Sequence, residues 1–199
     1  MKRNRLNRTG KQILYTSPMD YRVAVEEIGV DKKAMDIFSL IVYGVKRSKQ
    51  VRLTYIGGTD DNSTPSIELG MYLDFIHNWF ARDVGQGTEY LYNISNAIKD
   101  AYPKGDTDGW CYPSVAHRNG ALNAAFIPSK ADNKLEILAV IAAQTWRWTA
   151  DGTDQYEVKF MRVGFVGAKG KLLYEPYDHS KHAELVPGYE PPDLASIVG

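Results

Sequence analysis

The sequence predicts an α+β fold built on a mixed or antiparallel sheet with helices between its strands. Strand-type runs lie at both ends of the 199-residue chain, and apolar residues at helical spacing lie between them. Turn-forming residues separate these segments. We therefore expect a single domain over residues 1–178, followed by a Pro-rich C-terminal tail over residues 179–199. The last part of this tail, VPGYEPPDLASIVG, is expected to lie on the surface or to be disordered.

The first part of the chain alternates between strand and helix signals. The run QILYTS is rich in β-forming residues and predicts a strand over residues 12–17. Pro18 then suits the first turn of a helix and Gly29 its C-terminal cap, which predicts a helix between them. Apolar residues alternate along DIFSLIVYGVKR and QVRLTYI, and this period of two predicts strands over residues 36–47 and 50–56.

Helix signals dominate the middle of the chain. The run GGTDDNSTPS consists almost entirely of turn formers and predicts a loop. Apolar residues then recur at helical spacing from Ile67 to Val84 and from Thr88 to Tyr102. Two short strands are expected on either side of the polar turn PSVAHRNG, and three further β-rich runs cover residues 135–149, 156–167 and 171–177.

Charge, cysteine content and hydropathy exclude several classes of function. Twenty-four basic residues balance twenty-four acidic ones, so direct nucleic-acid binding is not expected. The single cysteine, Cys111, cannot form an internal disulfide and fits a reducing compartment. No apolar run reaches the roughly 18 residues of a membrane helix, and the basic N-terminus lacks the apolar segment of a signal peptide. We expect a cytoplasmic protein that does not associate with membranes.

Common catalytic and metal-binding motifs are missing from the sequence. It has no phosphate-binding P-loop, no GxGxxG after a strand, no HExxH and no GxSxG. The histidines are too scattered to predict a metal site, and the pair His179 and His182 lies in a polar segment where we expect both side chains to be solvated.

Polar residues at predicted strand ends and on the first predicted helix are the remaining functional candidates. Taken singly, each fits an ordinary structural role, such as an exposed arginine, a core tyrosine, a solvated carboxylate or a turn serine. The set comprises Arg5, Arg8, Tyr15, Glu26, Glu27, Ser114, His117 and Arg118.

Two adjacent carboxylates compete for the inward-facing position on the first helix. One helical step rotates a side chain by about 100°, so only one of Glu26 and Glu27 can face a shared cleft. Val23 shares a face with Glu27, and Arg22 shares a face with Glu26. The apolar neighbour favours Glu27, although periodicity leaves both orientations open.

Three blocks, in order along the chain, resemble the RES domain, the toxin of RES–Xre toxin–antitoxin pairs. RLNRTGKQILYTS resembles the first block of the family, and SPMDYRVAVEE resembles the second, in which Ala24 aligns and Glu27 is the carboxylate. YNISNAIKDAYPKGDTDGWCYPSVAHRNGALNAAF resembles the third and most specific block, which contains the pattern D-G-x-x-Y-P-S. The resemblance covers residues 5–128.

The resemblance implies a split β-core like that of ADP-ribosyltransferases, around a cleft that holds NAD. It also implies attack on the nicotinamide–ribose bond of NAD by inorganic phosphate or water, which depletes NAD and arrests growth. The implied partner is an Xre-type helix-turn-helix antitoxin, and the family's assemblies suggest homo-oligomers.

The same resemblance implies that Arg5, Tyr15, Glu27 and Ser114 are the catalytic residues. A carboxylate such as Glu27 would stabilise the positive charge that develops on the ribose when its N-glycosidic bond breaks. The forked guanidinium of Arg5 suits a pyrophosphate. The Tyr15 ring could stack on nicotinamide, and the Ser114 hydroxyl would donate a hydrogen bond rather than attack as a nucleophile.

Further residues of the first and third blocks complete the expected NAD-binding set, which is Arg5, Arg8, Tyr15, Ser114, His117 and Arg118. His117 and Arg118 fit a solvated turn equally well. No metal is expected in the site.

Two alternative functions follow from the same resemblance. Some members of the family are described as transferring ADP-ribose to a protein, so a mono-ADP-ribosyltransferase is one alternative. Family members also carry a further segment before the arginine block, whereas this chain reaches that block directly after MKRN. A non-catalytic relative that serves as a binding module is therefore the second alternative.

Overall fold

A computed structural model describes the chain over residues 6, 12–31, 35–57, 66–80, 82, 84, 87–102, 105–116, 121–150 and 153–191. Within these residues it contains helices and two four-stranded sheets, which confirms the predicted α+β class. In chain order the elements are β1 (Leu14–Thr16), α1 (Tyr21–Glu27), β2 (Ile37–Val45), β3 (Leu53–Tyr55), α2 (Ile67–Phe80), α3 (Tyr92–Ala101), β4 (Gly109–Pro113), β5 (Leu122–Phe126), α4 (Pro128–Lys134), β6 (Leu135–Ala150), β7 (Thr153–Val166), β8 (Leu172–Pro176) and α5 (His179–His182).

The chain divides into two compact units, each of which is discontinuous in sequence. Unit 1 comprises Met1–Pro18 and Arg47–Lys134, and unit 2 comprises Met19–Lys46 and Leu135–Gly199. The expected boundary at residue 178 is not a boundary of either unit, because unit 2 combines an early segment of the chain with all of its C-terminal part. No helix in the described part of the chain has the length and apolar character needed to cross a membrane.

Unit 1 is built on a mixed sheet with the strand order β1-β5-β4-β3. Strand β5 is antiparallel to both β1 and β4, whereas β3 runs parallel to β4. Gly109 begins β4 at a point where the neighbouring strand is very close, since a Cβ there would overlap the carbonyl oxygen of Ala125. Only glycine fits this position without moving one of the two strands.

Helix α2 contributes large apolar side chains to the core of unit 1. Ile76 and Phe80 are four residues apart, so they lie on one side of the helix, and both are buried. The Phe80 ring meets the Tyr112 ring of β4 edge to face, with 5.2 Å between ring centroids. Leu6, Ile56 and Ala125 belong to the same buried cluster.

A buried carboxylate joins four segments of unit 1. Asp108 is completely buried, and its Oδ2 accepts hydrogen bonds from the Arg52 amide at 2.8 Å and from Lys134 Nζ at 2.6 Å. The Asp108 amide donates to the Arg52 carbonyl at 2.8 Å, and its carbonyl accepts from the Ile127 amide at 2.9 Å. The segments before β3 and β4, the end of β5 and helix α4 are thereby fixed to one another.

Unit 2 is built on an antiparallel sheet with the strand order β2-β6-β7-β8. Alternate residues of β6, namely Ala139, Ile141 and Ala143, are buried, as expected for a strand with one face on a core. A register irregularity between β6 and β7 follows Ala142, so that Phe160 and Val163 of β7 both join the same cluster.

The C-terminal segment of unit 2 contributes to this core, which corrects the expected surface position of residues 186–191. Tyr189 is 3% exposed, and its ring stacks on Phe160 with 3.7 Å between centroids. Its hydroxyl oxygen accepts a hydrogen bond from the Phe160 amide at 3.1 Å. Pro187 and Gly188 lie in a turn, where Gly188 has a φ of 78°, and this turn does not prevent the aromatic side chain from packing.

His182 is also buried, contrary to the expectation that it is solvated. Its Nδ1 accepts a hydrogen bond from the Asp178 amide at 3.0 Å, and its Nε2 lies 2.9 Å from Glu175 Oε1. Because Nδ1 is an acceptor, Nε2 carries the proton in the neutral ring and donates to Glu175. This histidine therefore links α5 to β8.

Replacing Asp108 with Asn is expected to destabilise the protein by about 3 kcal/mol at pH 7, because the Lys134 ammonium loses its buried partner. Burial alone would raise the pKa of the Asp108 carboxyl, but hydrogen bonds from Lys134 and the Arg52 amide, with the charge of Lys134, bring it below its ordinary value of 3.8. This contribution is thus present above the ordinary value and is lost as the pH falls through the lower, folded-state value. Urea unfolding at pH 7 and at acid pH measures both effects.

Asp106→Asn is the matched control for this substitution. Asp106 is 76% exposed and lies 3.3 Å from Arg52, so its loss is expected to cost less than about 1 kcal/mol. Equal effects of the two substitutions would contradict the structural role of Asp108.

Candidate functional site

Tyr15 and Ser114 lie on the same face of the unit 1 sheet. Tyr15 of β1 is opposite Ala125 of β5, and the Ser114 amide, just beyond β4, donates to the Ala121 carbonyl at 2.8 Å. Paired residues on neighbouring strands share a face, and so do residues two and four apart along one strand. The structure therefore brings these two predicted residues to one surface, on the strands either side of β5.

Two further polar residues, Ser17 and Asn123, lie on this face. Asn123 is opposite Tyr112, and its Oδ1 accepts a hydrogen bond from Ser17 Oγ at 2.9 Å. Asn123 and Ser114 are 4% and 6% exposed, so this end of the sheet contains hydroxyl and amide groups within the protein interior. We name Ser17, Ser114 and Asn123 the polar cluster of unit 1.

Tyr15 is only partly buried and packs against the apolar core of unit 1. Its ring thus has a structural contact as well as its predicted role. Cys111, on the same sheet, is half-buried, and burial raises the pKa of its thiol, which makes the thiolate less available at neutral pH. The cysteine is consistent with packing rather than nucleophilic chemistry.

Helix α1 exposes Glu27 and partly buries Glu26. Asp20 caps the helix, since its side chain accepts from the Arg22 amide at 2.9 Å. The expectation that Glu27 follows Val23 inward is wrong. Val23 and Val25 are both buried, so the buried face of the helix covers the shorter arc between them. At about 100° per residue, Glu26 lies within this arc and Glu27 lies outside it. The proposed chemical role of Glu27 is a separate matter and stays a prediction.

Glu26 lines a cavity of about 480 Å³ in unit 2. The cavity lies between α1, the middle of β7 and the segment around Tyr189. Its charged and aromatic lining residues are Tyr21, Arg22, Glu26, Tyr156, Glu157 and Glu190. Sequence reasoning identified Glu26 only as a competing carboxylate and gave no signal for the residues from β7 and the C-terminal segment.

The Arg22 guanidinium in this cavity wall is held by Asp20. Arg22 Nε and Nη2 donate to the two Asp20 oxygens, each at 2.9 Å. This hydrogen-bonded pairing with Asp20 raises the pKa of Arg22. The arrangement is the forked geometry in which arginine binds a carboxylate most effectively.

Four of the predicted NAD-binding residues, Arg5, Arg8, His117 and Arg118, lie outside the described residues, and their assignment stays a prediction. The other two, Tyr15 and Ser114, belong to unit 1, whereas Glu27, a predicted catalytic residue, belongs to unit 2. Among the described residues, no group of three or more His, Cys, Asp or Glu side chains is arranged to hold a metal ion.

Comparison with known proteins found no match to this chain, whether with protein-family models, with curated proteins or with solved structures.

Tyr21→Phe is expected to make the protein more resistant to alkali. Burial raises the pKa of Tyr21 from 10.0 to about 12, with Arg22 opposing the shift and Tyr189, Asp20 and Glu157 adding to it. The stability that depends on the neutral phenol is present below pH 10 and is lost as the pH rises towards 12. Between pH 7 and pH 11 the free energy of unfolding of the wild type should fall by on the order of 1 kcal/mol more than that of the variant, allowing for the partial exposure of the phenol.

Thermal unfolding followed by circular dichroism at pH 7 and pH 11 measures this difference. Tyr90→Phe removes a tyrosine that is 64% exposed and is the control, with no alkaline effect expected. If wild type and Tyr21→Phe differ in stability by the same amount at pH 7 and at pH 11, the burial argument is contradicted.

Proposed function

We propose that this protein cleaves the nicotinamide–ribose bond of NAD and acts as the toxin of a toxin–antitoxin pair in the cytoplasm. The observation that supports this proposal is the shared sheet face of Tyr15 and Ser114, two residues that the RES resemblance assigns to one NAD site. They are far apart in sequence, and a one-residue change in the register of either strand would separate them.

The chemistry of this sheet face suits the uncharged parts of NAD. Hydroxyl and amide groups, such as those of the polar cluster, can donate to and accept from a ribose hydroxyl or a carboxamide. The Tyr15 ring offers an aromatic surface next to them. The pyrophosphate requires fixed positive charge in addition, and we assign that role to Arg5, with Arg8, His117 and Arg118 as further candidates.

The proposed reaction breaks the bond between the ribose C1′ and the pyridinium nitrogen. The bonding electron pair goes to the ring, so nicotinamide leaves as a neutral molecule without needing a proton. The ribose develops oxocarbenium character, which a carboxylate stabilises. An anionic phosphate oxygen then bonds to C1′, or a water oxygen bonds to C1′ and its proton is released to solvent. We assign the carboxylate to Glu27 on the RES resemblance.

The expected partner is an Xre-type helix-turn-helix protein that binds the toxin and suppresses its activity, and association of the toxin with itself is also expected. Inorganic phosphate is the expected co-substrate if the reaction is a phosphorolysis. A mono-ADP-ribosyltransferase would share the same NAD contacts and differ only in the acceptor, so the acceptor is the quantity to measure.

Ser114→Ala is expected to lower kcat/KM for NAD by about 10- to 100-fold, the range for losing one hydrogen bond to a polarised group. Purified protein is incubated with labelled NAD, with and without phosphate, and free products are separated from labelled macromolecules. Ser129→Ala is the control, since Ser129 is an exposed serine of unit 1 on helix α4. Label on protein would favour ADP-ribosyl transfer, and no loss of NAD under any condition would contradict the proposal.

Glu27→Gln is expected to lower turnover at least 100-fold while NAD binding changes little, because a stabilising carboxylate acts mainly in the transition state. Glu26→Gln is the matched variant, with the same change of charge one position earlier. Calorimetric binding and single-turnover rates separate the two effects. Loss of turnover in Glu26→Gln alone would contradict the Glu27 assignment.

A further inference from the structure

We propose that the unit 2 cavity binds a small organic cation that carries alkylammonium or guanidinium groups. The cavity volume of about 480 Å³ is within the range of roughly 300–1,000 Å³ that is typical of small-molecule sites. The inference rests on this cavity alone and does not require the NAD reaction.

The carboxylates around the cavity come from three separate elements. Glu26 lies on α1, Glu157 on β7 and Glu190 in the C-terminal segment, and all three line the same space. A run of acidic residues along one exposed helix would be solvated independently of any ligand. Here the fold instead assembles carboxylates that are distant in sequence around one concave surface.

The residues that line the cavity carry more negative than positive charge. They include three carboxylates, Glu26, Glu157 and Glu190, and one guanidinium, Arg22, which donates two hydrogen bonds to the Asp20 carboxylate. Among the residues that the structure describes, Glu157 and Glu190 take part in no salt bridge and no side-chain hydrogen bond. The cavity therefore has an excess of negative charge, which repels anions and attracts cations.

Aromatic and aliphatic side chains supply the rest of the wall. The rings of Tyr21 and Tyr156 can contact an ammonium or guanidinium group through their faces, and Val25 and Val158 can contact its alkyl chain. Tyr21 is held in position by edge-to-face contacts to Phe160 at 5.3 Å and to Tyr189 at 5.6 Å between ring centroids. This wall is thus ordered before a ligand arrives, which lowers the entropy cost of binding.

The buried phenol of Tyr21 is an uncharged part of the cavity wall. Burial is the main cause of its raised pKa, the charge of Arg22 opposes the shift, and Tyr189, Asp20 and Glu157 add to it. Burial likewise raises the pKa of Tyr189, and Glu157 again contributes in the same direction. Both tyrosines are therefore neutral at physiological pH, and Tyr21, which lines the cavity, presents an uncharged ring to a cation.

The spacing of the carboxylates favours an organic cation over a metal ion. No group of three or more potential ligands among the described residues is close enough together to hold one ion. Carboxylates spread around a cavity suit a ligand whose positive charges are also spread out, such as a linear polyamine. An arginine or lysine side chain of another protein has the same chemistry, so the experiment must distinguish these two sources.

Calorimetric titration of the full chain at low salt tests the proposal with three probes. Spermidine is the free polyamine, an end-capped Gly-Arg-Gly peptide represents a protein side chain, and citrate is an anion of similar size. We expect spermidine to bind with a Kd below about 1 mM and to weaken as salt is added, with citrate showing no binding. Tighter binding of the peptide than of spermidine would identify a protein side chain as the source.

Glu157→Gln and Glu190→Gln should each weaken spermidine binding about fivefold, and the double variant more than tenfold, because each removes one charge from the wall. Glu136→Gln is the matched control. Glu136 is an exposed residue of β6 in the same unit and does not line the cavity. Thermal unfolding of each variant checks that the fold is retained.

Tyr156→Leu should weaken binding about threefold, because it removes an aromatic face but keeps an apolar side chain. Absence of spermidine and peptide binding to the wild type would overturn the proposal. Equal weakening by Glu136→Gln and Glu157→Gln would also overturn it, since the attraction would then depend on overall charge and not on the cavity.

Discussion

The buried carboxylate of Asp108 is the interaction on which unit 1 depends. An ionised side chain without exposure to water is strongly destabilising unless it is paired and hydrogen-bonded, and Asp108 is bound by Lys134 at 2.6 Å and by the Arg52 amide at 2.8 Å. These contacts hold helix α4 and the start of β3 against the start of β4. Any change in the register of β4 would move Asp108 away from both donors. The position of Ser114 at the opposite end of β4 is therefore fixed by an ion pair at its beginning.

The class of the fold and most of its elements could be predicted from periodicity, whereas the pairings could not. The period of two along β2 and the helical period along α2 are local signals that appear in the sequence. Helix α4 gave no such signal, because only Ala131 in PSKADNK is buried. Lys134 at the end of this helix contacts a carboxylate distant in sequence, and the parallel pairing of β3 with β4 is also non-local.

The candidate site shows the same division between local and non-local information. Tyr15 could be predicted as a strand residue and Ser114 as a residue at a strand end. Their common face follows from the alternation of side chains along the strands once the pairing with β5 is known. The orientation of helix α1 could not be predicted from Val23 alone, because Val25 is buried as well and turns Glu26 towards the cavity. Glu157 and Glu190 carry no local signal of a shared site, since only the folded unit 2 brings them together.

The two polar regions differ in charge, and this difference restricts what each can bind. The polar cluster of unit 1 offers neutral hydroxyl and amide groups, which discriminate ligands by hydrogen-bond direction and by shape. The unit 2 cavity offers carboxylates and tyrosine rings, so a pyrophosphate there would meet like charge at close range. An anionic dinucleotide and an organic cation thus require opposite electrostatic environments. Under the proposed function, the phosphates of NAD would therefore need the guanidinium groups predicted before β1, whereas the acidic cavity suits a ligand of the opposite charge.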